Sequence, residues 1–413
     1  MRFRSSARLL AACALAACLS AHAATQGGAN AFNPGIGFVM QGSYGSYAST
    51  AGNRQIPGFL LGDDAGLSPQ GFSLGESELD LASNIDNLFY GFGALSFHDD
   101  HGESSVEVEL AYLQSTSLPG GFTVTAGKFF SDFGYQNSRH SHVWDFVDQP
   151  LVYEAMMNNQ YSDPGVRVTW LAPTDSYLLF GAEAFSGDNF PAGGAAHSGN
   201  GANTLFVKMS RDVNDSSTWY AGLSWMSARS MNRPSLGSDP ADPDTNVADS
   251  GPLFTGTSNI AGADFVWKWS PHGNFYQKNF IFQAEYLHRN ESGQLGASPC
   301  GTSPSCFGLR SGYRDSANGW YVQGTYQWMP RWRVGLRYDR LNSDNTLNGV
   351  YQPAVLLGNG FSPKRYSVMV DFSNTEFSRF RLQFNRDQSG VTAHNEIFFQ
   401  YIVAMGAHPA HTF

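Results

Sequence analysis

Beyond its first two dozen residues the chain has no run of about 18 or more apolar residues, so it has no segment suited to a membrane-spanning helix. Helical periodicity is scarce as well, which argues against a helical bundle or a doubly wound α/β domain. Charge is sparse: Asp, Glu, Lys and Arg make up 15% of residues, where ordinary soluble domains carry about 25%. The balance is acidic, with a formal net charge of -10, and the arginines interleave with apolar residues at strand period, so nucleic-acid binding has no support. No glycine-rich phosphate cradle leads into a helix, and nucleotide cofactors are not implied. Cysteine is rare, at four in 413 residues.

Two of those cysteines, Cys13 and Cys18, lie in an N-terminal segment that reads as an export signal. Arg2, Arg4 and Arg8 form a positive start, residues 9–19 are apolar, and Ala21-His22-Ala23 offers small residues at the two positions a signal peptidase reads. Cleavage before Ala24 divides the chain into a signal peptide, 1–23, and a mature domain, 24–413. Leu15-Ala16-Ala17-Cys18 leaves lipoprotein processing at Cys18 as the alternative. The remaining pair, Cys300 and Cys306, sits in a Pro/Gly/Ser-rich stretch of an exported chain and reads as a loop disulfide. Two cysteines without neighbouring histidines make an incomplete zinc site.

What the chain has is glycine (45 residues), aromatics (14%) and period-two alternation along its mature length. Val106, Val108, Leu110 and Tyr112 alternate with Glu107, Glu109 and Ala111; Phe380, Leu382 and Phe384 alternate with Arg379, Arg381 and Gln383. Periodicity alone does not separate a soluble sandwich from an outer-membrane barrel. The connections do. The alternation predicts about sixteen strands, near 35–48, 74–86, 88–97, 106–116, 122–130, 165–171, 177–186, 204–211, 217–227, 260–269, 280–290, 318–328, 331–341, 364–373, 377–387 and 395–405. Short turns such as Asp86-Asn87 and Met329-Pro330 alternate with mostly long Gly/Ser/Asn-rich loops near 49–73, 131–163, 187–203, 228–259, 291–317 and 342–363; 98–105 and 388–394 are shorter. Sorting of loop length by parity is the mark of a transmembrane antiparallel β-barrel, an all-β fold with short periplasmic turns and long extracellular loops. Trp170, Trp267, Trp269, Trp328 and Trp332 fall at strand ends, where an aromatic girdle meets the bilayer interface. The terminal Phe413 is similar to the C-terminal insertion signal of such barrels.

Sixteen strands leave room for an aqueous channel. The loop 131–163 is the candidate constriction, because Trp144, Asp145, Asp148, Tyr153 and Glu154 bring apolar and charged residues into one long connection, with a short helix expected near Val152 and Met157. Early strands place acids on the expected lumen face (Glu76, Glu78, Asp80, Glu107, Glu109) and late strands place bases there (Arg333, Arg337, Arg379, Arg381). Separated walls would set a transverse field across the pore; local pairing of the same charges is the alternative. On the first reading, replacing Arg379 and Arg381 by Ala shifts selectivity toward cations.

The segments Gly71-Phe72-Ser73-Leu74-Gly75-Glu76-Ser77-Glu78-Leu79-Asp80, Val106-Glu107-Val108-Glu109-Leu110-Ala111-Tyr112-Leu113 and Gly127-Lys128-Phe129-Phe130-Ser131-Asp132-Phe133-Gly134-Tyr135 resemble the phosphate-selective porin O/P-like family of Gram-negative outer-membrane barrels. Trp144-Asp145-Phe146-Val147-Asp148-Gln149-Pro150-Leu151-Val152-Tyr153 also resembles a subgroup labelled zinc-regulated TonB-dependent receptors, although the plug domain of true receptors has no counterpart before the first strand. The resemblance implies an outer-membrane porin that passes small hydrophilic solutes or ions by diffusion, surrounded by outer-membrane lipid, with a homotrimer as the candidate assembly. A zinc-linked uptake protein and a non-conducting adhesion barrel are the alternatives. No cofactor is expected. Zinc is the one candidate, on His98, Asp99, Asp100 and His101 or on His140 and His142, since imidazole with carboxylate suits that ion. Ser138, His140, Ser141, His142 and Asp145 match no hydrolase spacing, so no catalytic residue is assigned and the chain reads as a non-enzyme.

Overall fold

The computed structural model describes residues 34–48, 55–66, 69–100, 103–194, 200–235, 252–297, 309–357 and 360–406. The signal segment, His101 and the Cys300–Cys306 pair lie outside the described residues. Sixteen strands form one closed antiparallel barrel: β1 (Gly35–Tyr47), β2 (Ser77–Asn84), β3 (Phe89–Asp100), β4 (Glu103–Ser115), β5 (Phe122–Phe130), β6 (Ser162–Leu171), β7 (Tyr177–Phe185), β8 (Ala202–Asn214), β9 (Ser217–Pro234), β10 (Pro252–Trp269), β11 (Asn279–Ala297), β12 (Arg310–Met329), β13 (Trp332–Gly349), β14 (Lys364–Thr375), β15 (Ser378–Gln388) and β16 (His394–Gly406). Closure is direct. β1 pairs with β16 (Val39↔Ala404) on one side and with β2 (Phe38↔Leu79) on the other, which leaves no sheet edge.

The strands form because each alternates two chemistries for two solvents. On β14 the inward residues Arg365, Ser367, Met369 and Asp371 are 0%, 4%, 1% and 0% exposed, whereas the outward Tyr366, Val368 and Val370 are 47%, 37% and 37% exposed. The apolar face is the outer one, the inverse of a soluble protein, and it continues around the barrel through Leu81, Val108, Val168, Leu205, Leu223, Phe265, Leu336, Leu382 and Ile397. A continuous exposed apolar belt of this kind is a lipid-facing surface. No helix among the described residues is long and apolar enough to cross a membrane.

Aromatic residues bound the belt. Towards the short-turn rim, Trp332 packs on Phe372 with ring centroids 4.7 Å apart, Phe380 stacks on Tyr401 at 4.1 Å, and Trp170 stacks on Phe180 at 5.6 Å. A second row, Trp320–Tyr338–Tyr366, has centroid spacings of 5.3 and 4.8 Å. Trp320 and Trp328 share the outward face of β12, so about 26 Å of strand separates the rows. A strand tilt of 35–45° reduces this to about 20 Å, comparable to the apolar band of such barrels.

Two sequence expectations are corrected here. Residues 98–100 and 103–105 are strand and not loop: they extend β3 and β4 as a ladder, pairing His98 with Ser105 and Asp100 with Glu103. Leu110 and Tyr112 do not share a face with Val106 and Val108. The β3–β4 register shifts beside Ala94 and Leu95, leaving an extra residue opposite them. That bulge reverses the parity of every residue after it, so Val106 and Val108 face outward while Leu110 and Tyr112 turn inward against Phe130.

Candidate functional site: the loop inside the barrel

The chain between β5 and β6 turns into the barrel. It carries α1 (Leu151–Met157), all seven residues of which are buried, against the inner wall of β11–β13. Pro150 precedes the helix, and Asn158 in the left-handed region ends it, returning its N–H to the Tyr153 carbonyl. Leu151, Val152, Met156 and Met157 each gain about 1.5–3 kcal/mol by leaving water, which offsets the cost of ordering the loop. Gly319 on β12 makes the close approach feasible, because a Cβ there would overlap Val152 and Leu341.

The rest of the loop is held by polar groups of the wall. Glu285 on β11 accepts the N–H groups of Tyr135 and Gln136, both at 3.0 Å, and the Tyr153 hydroxyl at 2.6 Å. Gly134, at φ 65°, has no room for a side chain, since a Cβ would strike the Tyr153 hydroxyl. Asp339 on β13 accepts the Leu151 N–H at 3.0 Å, satisfying a donor at the start of the helix. Glu183 on β7 takes the Ser131 hydroxyl and the Asp132 N–H at the loop's entrance.

All four arginines expected on the lumen face lie on inward positions of β13 and β15, and each binds the loop. Arg337 donates to the Asp148 carbonyl and carboxylate, Arg379 to the His142 carbonyl, Arg381 to the Trp144 carbonyl, and Arg333 to Asp145. Arg333 and Arg381 also pair with Asp371. Arg365 belongs to the same set but was not picked out in the sequence. It is fully buried and bridges Glu154 at 2.8 Å and Asp148 at 3.3 Å. Its parity with Ser367 and Asp371 on β14 is the signal that marks it. Burial alone would raise the Asp148 carboxyl, but Arg337 and Arg365 hold it well below the usual carboxylate range.

These bases therefore do not form an open wall facing a distant acidic one. Of the acids, Glu78 and Asp80 are buried, Glu109 accepts from Ser96 at 2.9 Å, Glu76 is half-buried and Glu107 is exposed. His140 and His142 reach this group from the loop: His140 Nδ1 lies 3.0 Å from Glu78 Oε2, and His142 Nδ1 lies 3.4 Å from it. His98, on β3, contributes no ligand atom to that group. The charges pair locally across the loop.

A second inserted segment went unrecognised in the sequence. Residues 55–66 carry Ile56, Phe59, Leu61 and Ala65 into the apolar cluster around α1, while Leu60 packs with Phe254, Leu295, Tyr313 and Leu356. Asn158 donates to Asp63 at 3.0 Å and to Asp64 at 2.9 Å, fastening the two loops together. The run Ile56-Pro57-Gly58-Phe59-Leu60-Leu61 was the available signal: a loop exposed to water has no reason to be so apolar.

Charged groups that keep partial contact with solvent lie at the loop's margin. The side chains of Arg333 and Asp145 are 18% and 17% exposed, and Arg139 and Lys268 are half-buried. Among the described residues Arg139 and Lys268 have no carboxylate within ion-pair distance. Both flank Tyr135: burial works to raise its phenol, and the two cations bring it below its ordinary value.

Comparison with known proteins agrees with this architecture. An outer-membrane loop-deletion variant, OmpTdeltaL8 of Vibrio cholerae, superimposes with a TM-score of 0.53 at 11% identity over 91% of this chain and all of its own. The outer membrane channel DcaP of Acinetobacter baumannii gives 0.52 at 12% identity over 90% of this chain and 97% of its own. These likenesses establish the fold alone. In sequence, the chain is 32% identical over 364 residues to an uncharacterised protein of Aquifex aeolicus, covering 83% of this chain and 70% of that one. The receptor subgroup suggested by residues 144–153 finds no support in these matches. Residues 87–364 match the family model described as phosphate-selective porin O and P. The chain belongs to that porin family, and it is an outer-membrane channel for small solutes or ions.

Proposed function

We propose that this channel passes small hydrophilic solutes by passive diffusion, with small anions favoured, through a lumen narrowed by the loops at 131–161 and 55–66. One observation carries the preference. The acids along 131–161 are paired with arginine or lysine, whereas among the described residues Arg139 and Lys268 have no carboxylate within ion-pair distance and stay in reach of solvent. A cation held beside a low-dielectric wall concentrates anions at the narrowest part of a pore. The reading is of a channel and not an enzyme. It includes export by cleavage before Ala24, insertion into outer-membrane lipid and assembly as a homotrimer. Single-channel recording of the refolded protein in a planar bilayer under a salt gradient tests it. Stable open steps with an anion-side reversal potential are expected. A folded, heat-modifiable barrel without conductance would overturn the reading in favour of an adhesion barrel.

A further inference from the structure

Where the constriction loop meets β2, the His140-Ser141-His142 tripeptide folds as a 3-10 turn (Ser141–Val143) directly against Glu78. One ligand atom from each of Glu78, His140 and His142 lies within 4.8 Å of the others. The Glu78 Oε2 distances to the two imidazole nitrogens are 3.0 and 3.4 Å. Zinc bonds of about 2.0–2.1 Å to nitrogen and oxygen place neighbouring tetrahedral ligands about 3.3–3.4 Å apart. A fourth ligand atom, an oxygen, stands near, with Glu109 Oε1 at 3.7 Å from His140 Nδ1.

Two further features suit a cation. The tripeptide backbone is held from both sides, which fixes the imidazoles in advance: Gln41 on β1 donates to the Ser141 hydroxyl at 2.8 Å, and Arg379 on β15 donates to the His142 carbonyl at 2.6 Å. Four carboxylates, Glu76 just before β2, Glu78 and Asp80 on β2 and Glu109 on β4, lie in this region, and among the described residues the ion pairs of Glu78 and Glu109 are made to imidazoles and not to lysine or arginine. Their mutual repulsion calls for positive charge. His142 is fully buried while His140 is 19% exposed, so an ion has a path of entry past the His140 edge.

We propose that Glu78, His140 and His142 bind a divalent transition-metal ion of the zinc class, which ties the constriction loop to the wall at β2. Two imidazoles and a carboxylate, without thiolate, favour borderline ions such as zinc and cobalt over softer copper(I) and over magnesium or calcium. The ion adds a further cross-link between loop and barrel to those made by the arginine anchors on β13–β15. It makes the width of the constriction dependent on metal concentration.

The test uses the whole refolded barrel in detergent, freed of metal with a chelator and then titrated with zinc by equilibrium dialysis and with cobalt by visible absorption. One saturable ion per barrel is expected, with the intense bands of tetrahedral cobalt, and at least a tenfold loss of affinity in His140→Ala/His142→Ala. Glu78→Gln, which keeps shape and removes charge, is expected to lose affinity too, and it decides the matter if the double histidine variant does not fold. His98→Ala is expected to bind as the parent does. Absence of saturable binding overturns the proposal. So does binding that survives at Glu78→Gln and at the histidine double but disappears in His394→Ala, which would put the ion at the Asp387–His394–Glu396 cluster of β15 and β16 instead. Because the readout is binding and not current, it stands or falls separately from the channel reading.

Discussion

Arg337 on β13 grips Asp148 at two places, its guanidinium donating 2.8 Å to the loop carbonyl and 2.6 Å to the carboxylate of the same residue. Asp148 in turn accepts from Gln383 and Asn385 and pairs with Arg365, so three strands converge on one loop side chain. Breaking a buried pair by removing one partner costs about 3–5 kcal/mol, because the other charge is left uncompensated. Asp148→Ala is therefore expected to release the middle of the loop while leaving the barrel closed. Bilayer recordings should show larger and noisier open steps, with heat-modifiable migration on gels retained. Steps identical to the parent would mean that the loop does not depend on this anchor.

Arg139 and Arg381 separate charge that faces solute from charge that holds structure. Arg381 is 1% exposed and bound to Asp371 and the Trp144 carbonyl. Arg139→Ala is expected to move the reversal potential toward cations with little change in noise, whereas Arg381→Ala should raise the noise with a much smaller shift. This replaces the simpler expectation that Arg379 and Arg381 themselves set selectivity. The same salt-gradient experiment on both variants decides, and the reverse ranking would restore the opposed-walls view.

Gly134 and Tyr153 occupy one space. A left-handed backbone costs a non-glycine residue about 1–2 kcal/mol, and a methyl group at 134 also meets the Tyr153 hydroxyl. Gly134→Ala should loosen the turn that presents Tyr135 and Gln136 to Glu285. Hydrogen exchange at those two amides is the direct measure, and faster exchange is expected. Tyr153→Phe should have an effect of the same sign, since it removes one of five donors to Glu285 and costs about 1–3 kcal/mol.

Mild acid should leave two of the loop's ion pairs in place. Burial tends to raise both Asp132 and Asp148, yet Arg167 and Lys208 bring Asp132 down to about 2, and Arg337 with Arg365 take Asp148 lower still. A carboxyl depressed in the folded state stabilises it above the ordinary value of 3.8 and loses that contribution only as pH falls through the folded value. These two ion pairs are thus expected to persist from pH 7 to about pH 4, which carbon-13 titration of the Asp132 and Asp148 carboxyls checks. Protonation of either carboxyl near pH 5 would contradict the pairing described for them.

The alternation of chemistry along each strand, and the sorting of short and long connections, determined the barrel from the sequence alone. All sixteen strands lie where period two put them, because one lipid face and one polar face cannot be satisfied by another register. Strand ends were legible only as far as lipid extends. β12 reads as a strand over 318–328, but before Trp320 the outward residues Asn318, Ser316 and Arg314 are polar, so the ladder continues to Arg310 without the apolar outer face that marks a strand in lipid. The apolar content of 144–157 marked the loop that had to hide from water, and Val152 to Met157 marked its helix. Tertiary structure alone decided the rest. A single bulge in β4 turned Leu110 and Tyr112 inward, which depends on pairing with β3 and not on composition. The five arginines became anchors and not a wall because the loop groups that meet them, Asp145, Asp148, Glu154 and the carbonyls of His142 and Trp144, sit 188 to 237 residues earlier in the chain. Glu78 came within reach of His140 and His142 by the same folding-in. Contacts between residues so far apart arise from barrel closure and loop insertion, and no local pattern encodes them.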